Sequence, residues 1–215
     1  MERLICIVIG YGFGLFQTAF IYGKLHGIDI RQHGSGNAGT TNTLRVLGTK
    51  AGLIVLAGDI IKCILAIVIT GALFGASHPE EVYLLKLYAA AGAILGHNFP
   101  FYLNFKGGKG IAATAGLILS FHPAFLPMGI IIFSGIFFTT HYGSLGSLLV
   151  YAGLMIEMVI VGQMGMFAAP QRILNEMYVI TALLTILAYY KNRENIARLL
   201  KGEERKTYLT KKNKQ

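Results

Sequence analysis

Residues 111–140 read IAATAGLILSFHPAFLPMGIIIFSGIFFTT, and the topology of the chain depends on this stretch. It contains no Asp, Glu, Lys or Arg over thirty residues, whereas a helix needs about 20 apolar residues to cross a bilayer. His122-Pro123 interrupts it, and proline both removes a backbone donor and clashes with the preceding helical turn. The stretch is therefore either one long kinked helix or two short helices.

The rest of the chain is also strongly apolar. Of its 215 residues, 54% are hydrophobic and 13% are charged, whereas a typical soluble domain is about 25% charged. The first apolar run lacks the small-residue cleavage pattern of a signal peptide, so we predict that it is a span. Cys6 and Cys63 lie in apolar runs and are predicted to be buried free thiols. Outside residues 111–140, the candidate spans are residues 4–22, which is the first run, and residues 51–74, 82–96, 145–163 and 175–190.

The distribution of Lys and Arg distinguishes the two topologies, because cytoplasmic loops collect these residues. If residues 111–140 form two spans, the chain has seven spans, and fifteen of its nineteen Lys and Arg share one side. Three lie opposite, and Lys62 falls within a span. With six spans the split becomes seven against eleven. We therefore predict an all-α integral membrane protein with seven transmembrane helices, its amino terminus outside and its carboxyl terminus cytoplasmic.

The charge pattern also suggests a division of the chain. Nine of the nineteen Lys and Arg follow Tyr190, in a chain of net charge +9. Beside a membrane span, attraction to anionic lipid headgroups explains such a tail more simply than nucleic-acid binding does. We predict a seven-helix transmembrane domain at residues 1–192 and a basic cytoplasmic tail at residues 193–215. The predicted partners accordingly include the lipid bilayer and no nucleic acid.

A glycine-rich loop on the predicted cytoplasmic side is the first candidate for a binding site. Residues 33–42 read HGSGNAGTTN and are followed by Arg45. The three glycines allow the backbone to approach a ligand closely, and Arg45 offers a planar fork that fits phosphate or carboxylate. A solvated turn is the alternative, but a turn needs only two or three such residues.

The second candidate is residues 96–110, GHNFPFYLNFKGGKG, which lead directly into the next span. Lys106 and Lys109, with three glycines at a helix start, combine N–H groups, the positive helix end and two ammonium groups, and this suits an anion. The loop is not a P-loop, because Leu103 and Gly110 replace the required Gly and Ser or Thr. Nucleotide binding is therefore unsupported. Anchoring at the cytoplasmic face would explain the lysines but not the glycines.

Three side chains at or within the predicted spans are further candidates for a role in the site. His97 lies at a span boundary beside the second loop and could serve as a general base near neutral pH, while a structural hydrogen-bonding histidine is the alternative. Asp59 and Lys62 lie three residues apart in one span, where charges are costly unless paired. We expect them to pair, and the sequence leaves open whether the pair joins helices or serves the site.

Two shorter polar segments complete the predicted cytoplasmic face. Residues 141–147, HYGSLGS, place two serines on one face if the segment is helical. Residues 191–198, KNRENIAR, follow the last span. Arg193, Asn195 and Arg198 could face the same pocket, although a membrane-proximal basic tail explains Arg198 equally well.

In this order, the segments resemble the PlsY family of bacterial acyl-phosphate:glycerol-3-phosphate acyltransferases over nearly the whole chain. The resemblance implies a multi-pass enzyme of phospholipid synthesis in the bacterial cytoplasmic membrane, with a cytoplasmic active site and no metal or cofactor. It implies acyl phosphate and glycerol-3-phosphate as substrates, and the enzyme that supplies acyl phosphate is a further candidate partner. The motifs that carry it are SGNAGTTN at 35–42 with Arg45, GHNFP at 96–100, KGGKG at 106–110, SLGS at 144–147 and RENI at 193–196.

An acyl phosphate is already activated, so its reaction needs placement and charge stabilisation more than an enzyme nucleophile. We predict His97, Ser35 and Lys109 as catalytic residues. The sequence leaves open whether His97 or the phosphate of the acceptor itself takes the hydroxyl proton. The glycine-rich loops are assigned to the donor phosphate and the developing oxyanion. The acceptor is assigned to Arg45, Ser144, Ser147 and Asn195. The full set of predicted substrate-binding residues is Asn37, Thr40, Thr41, Asn42, Arg45, Lys106, Gly107, Gly108, Gly110, Ser144, Ser147, Arg193 and Asn195.

Two positions depart from the family pattern, because His141 stands where Arg is common and Asn192 where His is common. Both changes remove cationic or proton-carrying capacity from the predicted acceptor side. The main alternative function is an anion or proton-coupled transporter that uses Asp59, Lys62 and Glu157. The polar residues of a transporter should cluster near the midplane, whereas most of those here lie at one predicted face.

Overall fold

The structure is a computed structural model that describes residues 1–208, so the end of the predicted tail, residues 209–215, lies outside it. Over the described range the chain is all-helical, as predicted, and contains no strand. Two short 3-10 turns, Ile30–Gln32 and Phe101–Leu103, lie in the loops. The helices are α1 Glu2–Gly14, α2 Thr18–Leu25, α3 Thr40–Leu47, α4 Thr49–Phe74, α5 Val82–Asn98, α6 Ile111–Ser120, α7 Phe125–Thr140, α8 Gly143–Gln163, α9 Gln171–Lys191 and α10 Arg193–Leu200.

Four segments of the described chain are long and apolar enough to cross a bilayer. They are Glu2–Leu25, Thr49–Phe74, Gly143–Gln163 and Gln171–Lys191, the first of which combines α1 and α2. α6 and α7 are shorter apolar helices. The ten residues of α6 rise only about 15 Å, which is half the hydrocarbon thickness.

Residues 111–140, on which the topology depends, form two helices: α6 ends at Ser120 and α7 begins at Phe125. Around Pro123, the Nδ1 atom of His122 accepts a hydrogen bond of 3.2 Å from the backbone N–H of Ala124. The rings of Phe121 and Phe125 meet edge to face at 5.7 Å, and both pack against Phe167. The proline therefore breaks the apolar run, and the aromatic residues on either side fill the turn.

Glycines bring α1 and α5 into close contact. Gly10 lies against Gly92, and Gly14 lies against Gly96, so the two helices run in the same direction. A Cβ atom on Gly14 would stand 2.9 Å from the Cα of Gly96. Each helix carries a G-x-x-x-G pattern at this contact, as is common where membrane helices approach closely.

The first span is interrupted, because residues 15–17 separate α1 from α2. The buried side chain of Gln17 holds this break on α5 through hydrogen bonds to the carbonyl oxygens of Gly14, Gly96 and His97, at 3.1–3.2 Å. The break leaves the carbonyl oxygen of Phe16 free of the helix ladder, and Lys62 donates to it. Non-helical backbone at membrane depth is tolerated where protein buries it.

The core lies among α1, α4, α5, α6, α8 and α9. Cys6 and Cys63 are fully buried free thiols there, as predicted. The predicted boundary at residue 192 falls between α9 and α10. Residues 203–208 return from α10 to the helical domain, where the backbone N–H of Thr207 donates to the carbonyl oxygen of His141 at 2.8 Å.

Candidate active site

The polar loops meet at one end of the helix bundle, here called the loop-rich end. It comprises residues 30–48, residues 97–110, the start of α8 and residues 191–208. Contacts between Gly108 and Ala38, and between Arg45 and Thr207, join these segments. The four segments expected to share a face therefore lie together.

The second glycine-rich loop folds back on the end of α5. The backbone N–H groups of Gly107 and Gly108 donate to the carbonyl oxygens of Asn98 and His97, at 3.2 and 3.1 Å. A Cβ atom on Gly107 would stand 2.6 Å from the Pro100 ring. These two glycines permit close packing of the loop on α5. Their N–H groups are already hydrogen-bonded to backbone carbonyl oxygens and are therefore not free to bind an anion. The free backbone donors belong instead to the first turn of α6, which begins after Gly110.

The first glycine-rich loop is held by Asn42. Its amide nitrogen donates to the carbonyl oxygens of Ile30 and His33 at 3.1 and 2.9 Å, and its amide oxygen accepts from the N–H of Ser35 at 2.8 Å. This arrangement gives Asn42 a loop-forming role. The hydroxyl of Thr40 is buried and has no hydrogen-bond partner within residues 1–208. It is thus available to a ligand, and the side chains of Ser35 and Thr41 are exposed.

Three predicted site residues converge around Glu204. Oε1 of Glu204 accepts from the Ser144 hydroxyl at 3.1 Å and from the Asn195 amide at 2.8 Å. Oε2 accepts from Arg198 at 2.8 Å, and the Glu204 side chain is only 4% exposed. Lys109 donates to the amide oxygen of Asn195. The structure therefore brings together Lys109, which was assigned to the donor side, and Ser144 and Asn195, which were assigned to the acceptor side.

Arg45 reaches the same returning segment. Its guanidinium donates to the carbonyl oxygen of Arg205 at 3.2 Å and to the Thr207 hydroxyl at 3.0 Å. Arg45 lies in the last turn of α3 and is exposed. The predicted acceptor residues Arg45, Ser144 and Asn195 are therefore linked through residues 204–207, a segment that sequence reasoning missed.

Other predicted site residues are placed differently. Arg193 is exposed, donates to the Tyr190 carbonyl oxygen and lies over the Tyr190 ring. The Ser147 hydroxyl donates to the Gly143 carbonyl oxygen within α8 at 2.6 Å. Ser144 and Ser147 do share the first turns of that helix, as predicted. Lys106 is exposed, and Asn37 is partly buried in the first loop.

The charge of Lys109 is tuned by its surroundings. Burial lowers the pKa of its ammonium group to about 8, and the nearby charge of Arg198 acts in the same direction. The carboxylates of Glu194 and Glu204 oppose this shift of the pKa. Lys109 is therefore a cation at neutral pH that an approaching phosphate would stabilise further.

A buried polar cluster lies beneath the glycine-rich loops. Asp59 and Lys62 form the predicted ion pair, with 2.8 Å between Oδ1 and Nζ. Lys62 Nζ also lies 2.8 Å from Nδ1 of His97. The next residue, Asn98, is fully buried, and its amide oxygen and nitrogen have no partner within residues 1–208. Asn98 is therefore a further candidate for a ligand contact. Its position in the motif GHNFP, directly after His97, is the sequence signal that could have identified it as one.

An apolar cleft of about 780 Å³ runs between α1 and α4. Val8, Phe16, Leu65 and Leu73 contribute to its walls, and Lys62 lies at its polar part. A cluster of three or more His, Cys, Asp or Glu side chains suited to a metal is absent from the described range.

The fold and the loop-rich end define a multi-pass helical membrane protein whose glycine-rich loops and several cationic side chains gather at one end of the helix bundle. A family profile described as glycerol-3-phosphate acyltransferase matches residues 4–202. The chain is 39% identical over 208 residues to the glycerol-3-phosphate acyltransferase of Halalkalibacterium halodurans, and 36% identical over 210 residues to glycerol-3-phosphate acyltransferase 2 of Bacillus cereus. In both comparisons, 96% of each chain is covered.

Solved structures agree with these relatives. The glycerol 3-phosphate form of PlsY, an integral membrane glycerol 3-phosphate acyltransferase, matches over 100% of both chains with a TM-score of 0.83 and 28% identity. The lysophosphatidic acid form matches with a TM-score of 0.79 over 97% of both chains. The chain belongs to the PlsY family of glycerol-3-phosphate acyltransferases.

Proposed function

We propose that this membrane acyltransferase moves a fatty acyl group from acyl phosphate to the hydroxyl of glycerol-3-phosphate. The products are lysophosphatidic acid and inorganic phosphate. The observation that carries the proposal is the convergence of Lys109, Ser144 and Asn195, with Arg45 on the adjoining segment, beside two glycine-rich loops. Two anionic substrates require such a grouping, because their phosphates repel each other without cations between them.

The donor phosphate is assigned to the start of α6, with Lys109 and the first glycine-rich loop beside it. Free N–H groups and the positive helix end favour an anion there. The acceptor phosphate is assigned to Arg45, Ser144 and Asn195. The contact between Lys109 and Asn195 joins the two halves. The Glu204 carboxylate occupies the Ser144 hydroxyl and an Asn195 N–H donor, so the acceptor phosphate takes the place of this carboxylate when it binds.

The acyl chain of the donor is assigned to the cleft between α1 and α4. Its wall on α4 extends from Gly58 to Leu73, a helical rise of about 22 Å. Each methylene buried there contributes about 0.8 kcal/mol. Val8, Leu65 and Leu73 in the walls are exposed on the apolar surface of the bundle, so the cleft is open to the bilayer, where an acyl phosphate would be dissolved.

The site is placed on the cytoplasmic face of the bacterial membrane, with seven crossings, the amino terminus outside and the carboxyl terminus inside. The two helices within residues 111–140 and the parallel run of α1 and α5 support this topology. The Lys and Arg distribution supports the direction. This orientation gives the site direct access to soluble glycerol-3-phosphate.

The donor assignment is tested with purified protein, glycerol-3-phosphate and either palmitoyl phosphate or palmitoyl-coenzyme A. We expect lysophosphatidic acid from palmitoyl phosphate alone, with a rate that a chelator leaves unchanged. Acyl transfer from the thioester only, or loss of activity on chelation with recovery in Mg²⁺, would overturn the proposed donor or the metal-free reaction. Family membership would stand in either case.

A further inference from the structure

We propose that His97 is a fixed hydrogen-bond donor to an anionic oxygen of the bound substrates, and that Lys62 and Asp59 are positioning residues that fix its tautomer. The inference rests on the proposed function for the identity of the ligand. It replaces the general-base role expected for His97 from its pH range alone, and it gives the buried Asp59–Lys62 pair a part in the reaction.

The hydrogen bonds of Lys62 set the arrangement. An ammonium group has three N–H donors. Nζ of Lys62 lies 2.9 Å from the Phe16 carbonyl oxygen, 2.8 Å from Oδ1 of Asp59 and 2.8 Å from Nδ1 of His97. Lys62 and Asp59 are 3% and 1% exposed. Three acceptors around three donors, one of them a carboxylate, fit a charged lysine whose donors are all used.

Nδ1 of His97 then presents its lone pair to Lys62, because Oδ1 of Asp59, the other group that faces Nδ1, lies 3.6 Å away and beyond hydrogen-bond distance. A neutral imidazole that accepts at Nδ1 carries its proton on Nε2. The only basic lone pair of the ring is therefore occupied by Lys62, and the nitrogen on the opposite side of the ring is a donor. Accepting a substrate proton at Nδ1 would break the hydrogen bond from Lys62 and place a second cation beside the buried ammonium. The one nearby carboxylate, Asp59, lies 3.6 Å from Nδ1 and is already paired with Lys62.

Nε2 of His97 faces the point where the two glycine-rich loops meet. A Cβ atom on Gly108 would collide with Nε2 and would stand 2.9 Å from the carbonyl oxygen of Ala38. Within residues 1–208, the His97 ring makes its hydrogen bond at Nδ1. Nε2–H thus remains available beside the loops assigned to the donor phosphate and the oxyanion. Because residue 108 is a glycine, no side chain blocks the Nε2–H group of His97.

The tautomer is measured directly by nitrogen NMR of protein labelled with ¹⁵N-histidine. The chain has six histidines, and loss of a signal in His97→Gln assigns the one in question. We expect a neutral ring protonated at Nε2 throughout about pH 6 to 8, on either side of the ordinary histidine pKa. A ring protonated at Nδ1, or an imidazolium, would overturn the proposal. This readout does not depend on acyl transfer, so it separates the tautomer from the proposed function.

Two substitutions distinguish a donor from a base. In His97→Gln the amide N–H reaches about as far as Nε2, whereas the shorter amide of His97→Asn reaches only the position of Nδ1. We expect His97→Gln to keep most of the wild-type kcat with palmitoyl phosphate, and His97→Asn to lose roughly ten- to a hundredfold. Equal losses of about 10²–10⁴-fold in both would indicate a general base. An inactive wild-type protein would instead reject the proposed function.

The positioning role is tested with the double variant Asp59→Asn/Lys62→Met. Removing both charges avoids leaving one buried and unpaired, so the fold should persist, and a thermal melt checks this. We expect the nitrogen spectrum to show a loss of the single His97 tautomer, and kcat to fall while KM changes little. A folded double variant with the wild-type spectrum and kcat would contradict the role of Lys62.

Discussion

Lys109 is the residue whose charge matters most directly to the proposed reaction. We expect Lys109→Gln to lower kcat by roughly ten- to a hundredfold, because a charge-assisted contact worth about 1.5–3 kcal/mol is lost where charge develops on the leaving phosphate. Lys50→Gln is the matched control, since Lys50 is exposed at the start of α4. Equal turnover in both variants, measured by phosphate release, would identify Lys109 as a membrane anchor.

The pKa of Lys109 also predicts a pH dependence. Burial lowers this pKa to about 8, so the cation is present below pH 8 and is lost as the pH rises. We expect kcat/KM to fall as the pH rises through about 8, because this ratio reports the free enzyme. In Lys109→Arg the guanidinium stays charged, so the decline should move to higher pH. An identical profile in Lys109→Arg would assign the decline to another group.

Arg45 should affect the acceptor more than the chemical step. The phosphate of glycerol-3-phosphate does not react, so losing its contact removes binding that the ground state and the transition state share. We expect Arg45→Gln to raise the KM for glycerol-3-phosphate roughly ten- to a hundredfold and to leave kcat nearly unchanged. Steady-state kinetics at varied acceptor concentration measure this, and a fall in kcat at unchanged KM would contradict the assignment.

Among individual site residues, the sequence predicted those whose charge or motif points to phosphate binding. It missed those whose role depends on contacts between residues far apart in the chain. Lys109, Ser144 and Asn195 were predicted from charge and motif, and the structure joins them. Glu204 was missed because its partner Ser144 lies sixty residues earlier, and no local pattern records that contact. Asn42 was predicted to bind substrate, whereas its three hydrogen bonds show how the loop itself is held.

The close contact between α1 and α5 through their glycines can be tested by substitution. We expect Gly14→Ala to lower the thermal stability of the protein, because its Cβ would stand 2.9 Å from the Cα of Gly96 and overpacking costs about 1–3 kcal/mol. Gly12→Ala is the matched control, since its Cβ would meet nothing within 4 Å. Thermal unfolding in the same detergent compares them, and equal stabilities would reject the close approach of α1 and α5.

The two helix breaks differ in how visible they are in the sequence. The break near Pro123 follows from the chemistry of proline, so it was predicted. The break at residues 15–17 has no Gly or Pro within it and depends on hydrogen bonds from Gln17 and Lys62. Those bonds form only when α1, α4 and α5 are packed together, so a pattern within one segment could not reveal them.

The topology of the whole molecule is tested by labelling single cysteines in intact cells. We expect Ala124→Cys, at the hairpin between α6 and α7, to react with an impermeant reagent from outside, and Lys50→Cys to react only after the cytoplasmic side is opened. The native Cys6 and Cys63 are fully buried and should give little background. Labelling of Ala124→Cys only from the cytoplasmic side would reject the seven-span topology.

Acyl transfer from acyl phosphate is tested most directly by measuring both products in one reaction. Purified protein is given palmitoyl phosphate and radiolabelled glycerol-3-phosphate, without coenzyme A or nucleotide, and phosphate release and labelled lysophosphatidic acid are followed together. We expect the two products to appear in equal amounts, and neither to form above background when glycerol-3-phosphate is omitted. In Lys109→Gln both should form roughly ten- to a hundredfold more slowly. Phosphate release without labelled lipid, or no product from palmitoyl phosphate under conditions where the protein is folded, would contradict the proposed reaction.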